Sequence, residues 1–374
     1  MTNEQNLLIR LINGAIKNQK VEYSSDSVDV KKLLTMAKRH SVLNTIYPVL
    51  NESEKQLASR VYAAYVNQHA LLDYYGGLIY QKFEENGICY MPLKGAILKQ
   101  LYPDPLLRSS CDLDIFYKQE DTEKVNKALA DLGFDFISDS HNHMVHQING
   151  MVTIEMHHHL FSHNKDMVDY YADNIWKRLI KVSDYRYDFT DEDFYLFLLL
   201  HMHKHFTSSG FGVRSLLDVY IYNQHKSLDK IHLDKIYNKL GVTKFVHAIE
   251  KLADFWFNDG GSDELTLKLQ SHIFDSGVYG TVKNSTLIQI NKTNKFKYFF
   301  SRAFPPFSDM KKLYPSLQKC VLHLPFTYIH RLITALFSKK HKEKARLELK
   351  NMTSTPNNES AKLDKLYREL EIYK

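Results

Sequence analysis

The stretch LKGAILKQLYPDPLLRSSCDLDIFY, Leu93–Tyr117, decides how the rest of the chain is read. It closes a short β-prone run, Ile88-Cys89-Tyr90-Met91-Pro92-Leu93, and turns at Lys94-Gly95 into a helix from Ala96 to Tyr102. Pro103 and Pro105 break that helix, because proline lacks the amide donor a helix interior needs. Asp112-Leu113-Asp114-Ile115-Phe116-Tyr117 then reads as a second strand. Side chains alternate across a strand, so Asp112 and Asp114 share one face, within reach of one divalent cation. Mg²⁺ takes a few carboxylate oxygens together with waters and substrate phosphates, so this pair suits nucleotide phosphate chemistry. At the upstream turn, Gly95 allows backbone to approach a phosphate, and amides at a helix start attract anions.

Downstream, Asp121 is placed to cap a helix from Thr122 to Leu132 that Gly133 ends, and Phe134 to Ile137 reads as a third strand. His143–Ile148 and Met151–His157 are joined by Asn149-Gly150, the strongest short hairpin signal. On the second arm, alternation puts Thr153, Glu155 and His157 on one face. Glu155 is thus a third carboxylate that would complete a two-metal site and prepare an acceptor hydroxyl for in-line attack.

On both sides the texture is helical. Leu7, Leu8, Leu11 and Ile12, then Leu33, Leu34, Met36 and Ala37, recur at helical spacing, and a third helix runs through Ala58 to Phe83, with Gly76-Gly77 expected to weaken or bend it. Thr190-Asp191-Glu192-Asp193 reads as a capping box, with Asp in place of Glu, opening a long apolar helix. Further helices are expected at Leu216–Asn223, Leu233–Leu240, Thr243–Phe257 and Asp263–Phe274, then from Phe326 to about Lys350. Only 14 Gly and 9 Pro in 374 residues fit a mostly helical chain. The expected class is α+β: a small mixed-sheet core flanked by helical regions. The ranges are 1–85 helical, 86–165 the α/β core, 166–280 a helical domain completing the cleft, and 281–374 a basic helical region.

Hydrophobic residues are 44% and charged residues 25%, which excludes a disordered chain, a collagen-like fibre and a coiled-coil rod. Net charge is +6, but unevenly placed. Residues 281–374 hold 19 Lys and Arg against 7 Asp and Glu, and the rest hold 30 against 36. Cys89, Cys111 and Cys320 are scattered without a CxxC pair, which argues for a reducing compartment. The N-terminus lacks a signal-peptide pattern and Phe194–Leu200 is too short to cross a bilayer, so a cytoplasmic protein is expected.

The order strand, Lys-Gly, helix, Tyr-Pro, Arg108, Asp-x-Asp, helix, Leu-Gly-Phe and Glu-x-His resembles the polymerase-beta-type nucleotidyltransferase superfamily. More narrowly, Leu93–Tyr117 resembles an uncharacterised bacterial nucleotidyltransferase family carrying LKG…LYP…R…DxD. The similarity continues through His201-Met202-His203-Lys204-His205 and Gly212-Val213-Arg214-Ser215-Leu216-Leu217-Asp218, then the Phe304-Pro305-Pro306, Tyr314-Pro315 and Leu324-Pro325 segments. The resemblance implies a minimal nucleotidyltransferase fold with Asp112 and Asp114 on Mg²⁺, or Mn²⁺ in its place, and Glu155 as the third acidic position. It also implies an NTP substrate, ATP among the candidates. Lys94-Gly95 replaces the superfamily's usual Gly-Ser, which offers the β- or γ-phosphate a charge where Ser would donate a hydrogen bond. Arg108, Lys204 and Arg214 are the further candidate phosphate contacts, Arg214 having Asp218 as an alternative partner one turn on.

His157 with His159 on a strand, and His201 with His205 one helical turn apart, both have spacings that bind zinc. With no Cys beside them and no H-E-x-x-H, a polar lining is the plainer reading and a zinc hydrolase the third option. The segment 326–350 has an apolar first half and a basic second half, SKKHKEKARLELK. It suits peripheral docking to an anionic membrane or a biosynthetic complex, while a helix packed on the body is the plainer reading. The leading expectation is transfer of a nucleoside monophosphate from an NTP to an unidentified acceptor (protein, sugar phosphate, small molecule or tRNA). The alternative is a weak or inactive nucleotide-binding scaffold that docks through the basic helix.

Overall fold

A computed structural model of the chain describes residues 1–161, 164–172, 175–277, 280–281, 284–288, 297, 300–301, 304–314, 316–319, 321–337 and 357–372. The chain forms two compact units. One comprises Met1–Lys204 with Gly212–Val278, and the other His205–Phe211 with Tyr279–Lys374.

The first unit is built on a five-stranded mixed sheet flanked by helices. Its strands are β1 (Tyr90–Pro92), β2 (Asp112–Tyr117), β3 (Asp135–Asp139), β4 (His143–Ile148) and β5 (Val152–His157), in the order β1-β2-β5-β4-β3. β2 and β5 run parallel, and every other pair is antiparallel. The β4–β5 hairpin forms at Asn149-Gly150 as expected, both left-handed with φ of 53° and 66°, within the three residues Asn149–Met151 that separate the paired Ile148 and Val152. Leu113, Ile115, Ile154 and Met156, alternating with the polar positions, bury one face of the sheet. Leu72, Ile79 and Phe83 of one helix and Val125, Ala128 and Leu129 of another complete this core.

The first of those helices is α4, Glu52–Glu85, preceded by α1 (Asn3–Ile16), α2 (Val30–Arg39) and α3 (Leu43–Ile46). At 34 residues α4 is about 50 Å long, and it runs unbroken through Gly76-Gly77, where a weakening or bend was expected. Tertiary packing offsets the propensity cost. A Cβ at Gly76 would sit 3.3 Å from Leu113 Cδ2, so the bare backbone lets α4 lie close on β2.

The helix after Gly95 is shorter than expected: α5 covers Gly95–Leu98 and tightens into a 3₁₀ turn at Lys99–Leu101. Asp121 precedes α6 (Thr122–Asp131) but does not cap it. It ends a 3₁₀ turn at ψ 10°, not in extended geometry, and its carboxylate accepts from Lys124 Nζ at 2.8 Å instead.

Beyond the sheet lie α7 (Lys165–Ala172), α8 (Ile175–Arg178), the small pair β6 (Ile180–Lys181) and β7 (Tyr187–Asp188), and α9 (Asp191–Phe206). Thr190 Oγ1 accepts from Asp193 N at 3.1 Å, as the capping signal predicts, while the Asp193 carboxylate accepts from Tyr170 and Arg178. α10 (Val213–His225), α11 (Lys230–Leu240), α12 (Thr243–Phe257) and α13 (Glu264–Ser276) complete the unit.

In the second unit, described helices span Phe307–Leu313, Ser316–Lys319, Leu324–Phe337 and Asn357–Glu369. The last buries Leu363, Leu366 and Tyr367, whose ring stacks on Phe206 at 4.9 Å. The helix expected to run to Lys350 is described to Phe337. Its basic half, 338–350, lies outside the described residues, as do Cys320 and Pro315. Phe326, Ile329 and Ile333 are 71%, 55% and 49% exposed, so this apolar stripe is not buried as a packed helix would bury it. Among the described residues, no helix is long and apolar enough to cross a membrane.

Candidate active site

Parallel pairing of β2 with β5 sets Asp112 opposite Thr153 and Asp114 opposite Glu155. With Leu113 and Ile154 committed to the core, all three carboxylates fall on the other face. In β4–β5, His143 lies opposite His157 on that same face. Asp114 is 8% exposed and carries the shortest contacts: His157 Nε2 at 2.8 Å from Oδ1 and Lys94 Nζ at 3.4 Å from Oδ2. His157 Nε2 is also 3.4 Å from Glu155 Oε2, and His143 Nε2 is 3.7 Å from that oxygen.

The carboxylates are held in different protonation regimes. Burial, then the neighbouring Asp114 and Glu155, raises Asp112 to about 6. Burial also works to raise Asp114, but Lys94 and the His157 hydrogen bond outweigh it and keep Asp114 well below the usual carboxylate range. The His157 hydrogen bond lowers Glu155. For His157, burial opposes the charged form, yet hydrogen bonds with Asp114 and Glu155 raise its pKa. Three acidic groups around one point, one resisting ionisation, are a donor set that a divalent cation relieves. Their oxygens fit Mg²⁺.

Lys94 adopts φ 34°, ψ −97°, a conformation a side-chain-bearing residue rarely holds, at the turn from β1 into α5. The turn aims its ammonium at Asp114 and over the Phe197 ring of α9, 6.0 Å from the centroid. Gly95 allows close packing: a Cβ there would meet Ser110 Oγ at 2.7 Å and Arg108 Nη1 at 3.0 Å, so a side chain would have to shift.

Of the remaining expected phosphate contacts, Lys204 and Arg214 are brought to the carboxylates. Burial and Lys94 lower Lys204, with Glu155 and Asp114 opposing. Arg214 acts electrostatically on Asp112, donates from Nη1 to Ser109 O at 3.0 Å, and leaves a buried Nε without a hydrogen-bond partner. Arg108 is placed differently. It is 5% exposed, clamped bidentately on Asp218 (Nε–Oδ1 2.8 Å, Nη2–Oδ2 2.9 Å), with Nη1 donating to Ser110. Asp218 thus pairs with Arg108 across 110 residues, and not with Arg214 one turn away.

The expected pair of His157 and His159 takes separate partners. His158 turns to Tyr117 and the His141 carbonyl, His159 lies against His141 and His158, and His157 serves Asp114 and Glu155. His143, which motif reading passed over, is the imidazole beside His157, with ring centroids 4.9 Å apart. Only the hairpin register signals it.

A cavity of about 520 Å³ reaches Gly95, Ser110 and Asp112. Its lysines and arginine are paired within the lining: Lys99 with Asp73, Arg186 with Asp188, and Lys226 with Asp191. Tyr80 Oη, His69 Nε2 and Arg186 Nε, on residues of that lining, have no hydrogen-bond partner. The size is that of a small-molecule site.

A small mixed sheet presenting carboxylates from adjacent parallel strands beside a strand–turn–helix is the arrangement of the nucleotidyltransferase class. The family model described as "Uncharacterised nucleotidyltransferase" matches residues 26–258, and the chain belongs to that family. Neither the curated proteins nor the solved structures give a match.

Proposed function

We propose that the protein is a Mg²⁺-dependent nucleotidyltransferase that moves a nucleoside monophosphate from an NTP to an acceptor hydroxyl or phosphate and releases pyrophosphate. The observation that carries this reading is the β2–β5 register, which sets Asp114 beside Glu155 on the face that also carries Asp112. Asp112, Asp114 and Glu155 hold the metal, Mg²⁺ or Mn²⁺, which when bound screens charge on the triphosphate and lowers the barrier to in-line displacement.

The chain's own groups do the rest. Lys94, Lys204 and Arg214 receive the triphosphate, and Gly95 lets the backbone come close to it. Arg108 acts as a positioning residue that fixes the loop before β2 through Asp218 and Ser110. His157, sharing hydrogen bonds with Asp114 and Glu155, orients both carboxylates. The acceptor oxygen forms a bond to the α-phosphorus as the bond from that phosphorus to the bridging β-phosphate oxygen breaks, and where the acceptor is a hydroxyl we assign its proton to Glu155. The cavity beside Asp112 suits the neutral, hydroxyl-bearing part of a substrate, since its cations are already paired.

A second reading, a nucleotide-binding scaffold that docks peripherally, is favoured by the exposed stripe of Phe326, Ile329 and Ile333. The two separate by pyrophosphate release from labelled NTPs with Mg²⁺ and a cell extract. Wild type should turn over, and Asp112→Asn should lose at least about a hundredfold while keeping its circular dichroism. Nucleotide binding without pyrophosphate release would favour the scaffold.

A further inference from the structure

His143, Glu155 and His157 project from β4 and β5 onto the carboxylate face, their ligand-type atoms all within 4.8 Å of one another. We infer that they form a binding site for a zinc-class transition-metal ion, distinct from the magnesium position at Asp112 and Asp114 and linked to it through Glu155.

Two of the three ligand-atom separations match a tetrahedral site, and three protein ligands would leave one position open. Ligand atoms about 2.1 Å from a tetrahedral ion lie about 3.4 Å from each other. Glu155 Oε2 is 3.4 Å from His157 Nε2 and 3.7 Å from His143 Nε2. Both imidazoles therefore approach the same carboxylate oxygen at the spacing a shared ion would set. Donor chemistry selects the ion. Two nitrogens in three suit Zn²⁺, Co²⁺ or Ni²⁺, whereas Mg²⁺ demands oxygen. All three ligands stand on one hairpin, with register fixed by His143↔His157 and Val145↔Glu155, so the site is preorganised by strands and not by a loop.

The site also has a consequence for Asp114. His157 Nε2 now bonds Asp114 Oδ1 at 2.8 Å. An ion on that nitrogen displaces its proton, withdraws Glu155 from the magnesium position, and leaves Asp114 with Lys94. Zinc-class ions at this site therefore antagonise the Mg²⁺ site.

The test is Co²⁺ binding to the chelator-stripped full-length protein in excess Mg²⁺, read by visible absorption. The expected result is one tetrahedral ion per chain, without a thiolate charge-transfer band. His143→Ala weakens that ion by more than about a hundredfold, and His159→Ala leaves it unchanged. His143→Gln serves if the Ala variant does not fold. Asp112→Asn should retain the Co²⁺ spectrum. The site is overturned by an octahedral or thiolate spectrum, by equal loss in His159→Ala, or by retention in a folded His143 variant. Because the readout is metal binding, its failure leaves the transfer reaction standing, and an inactive protein leaves this site standing.

Discussion

Asp112 is the residue at which the fold works against itself. Its carboxyl is raised from 3.8 to about 6 by burial and by Asp114 and Glu155. The folded state thus holds this proton more tightly than the unfolded chain does. Its favourable contribution is complete below pH 3.8 and is lost as pH rises through about 6. At neutral pH the protein carries an ionised group its surroundings disfavour, and a divalent cation removes that penalty. Saturating Mg²⁺ should therefore raise the thermal midpoint more near pH 7.5 than near pH 5, by on the order of 2 °C or more. Asp112→Asn should melt higher than wild type near pH 7.5 without Mg²⁺ and lose most of the Mg²⁺ response. Differential scanning calorimetry across the pH series checks both. An equal Mg²⁺ shift at the two pH values would remove Asp112 from the metal site.

At the scale of elements, the loop before β2 is tied to α10 by a buried pair. Arg108 is clamped by Asp218, which also accepts from Tyr102 Oη at 2.8 Å, while Arg214 holds Ser109 O at 3.0 Å. Removing one partner strands the other charge, so Asp218→Asn should cost about 3–5 kcal/mol, read as a lower urea midpoint. The double variant Arg108→Met/Asp218→Leu should recover part of that loss, since it leaves no unpaired buried charge, though Tyr102 Oη loses its acceptor. Both variants should lower turnover, because the loop sets where Asp112 stands. This pair also shows where sequence reading stops. Asn149-Gly150 and the Asp-x-Asp alternation are local, and both were legible from neighbouring residues alone. The parallel register that brings His157 to Asp114 spans 43 residues, and the Arg108 partner lies 110 residues on. Chain spacing carries no sign of either. His143 was missed for the same reason: its meaning lies in the strand opposite. Gly76 misled because propensity is a local quantity, whereas its role is to admit Leu113 from another element.

For the whole molecule, charge and apolar exposure point to a division of labour. The excess positive charge lies in residues 281–374, 19 Lys and Arg against 7 Asp and Glu, while Asp112, Asp114 and Glu155 lie in the net acidic remainder. On the proposed function, a triphosphate would be met by a few cations, Lys94, Lys204 and Arg214, and not by a basic field. In the second unit, Phe326, Ile329 and Ile333 follow helical spacing on one exposed face, and Leu322 just before them is 81% exposed. The basic run SKKHKEKARLELK follows in sequence. Apolar side chains with cations after them match an anionic lipid surface, the first by burial and the second by counterion attraction. The full-length protein should co-sediment with phosphatidylglycerol-containing vesicles more than with phosphatidylcholine alone, and high salt should weaken the difference. Phe326→Ser/Ile329→Ser should lower vesicle partitioning by at least about tenfold, given about 1.5–3 kcal/mol for each buried apolar side chain. Pyrophosphate release in solution should stay within about twofold of wild type, since neither residue lies among the carboxylates or their cations. Equal sedimentation of wild type and variant would assign the stripe to something other than lipid.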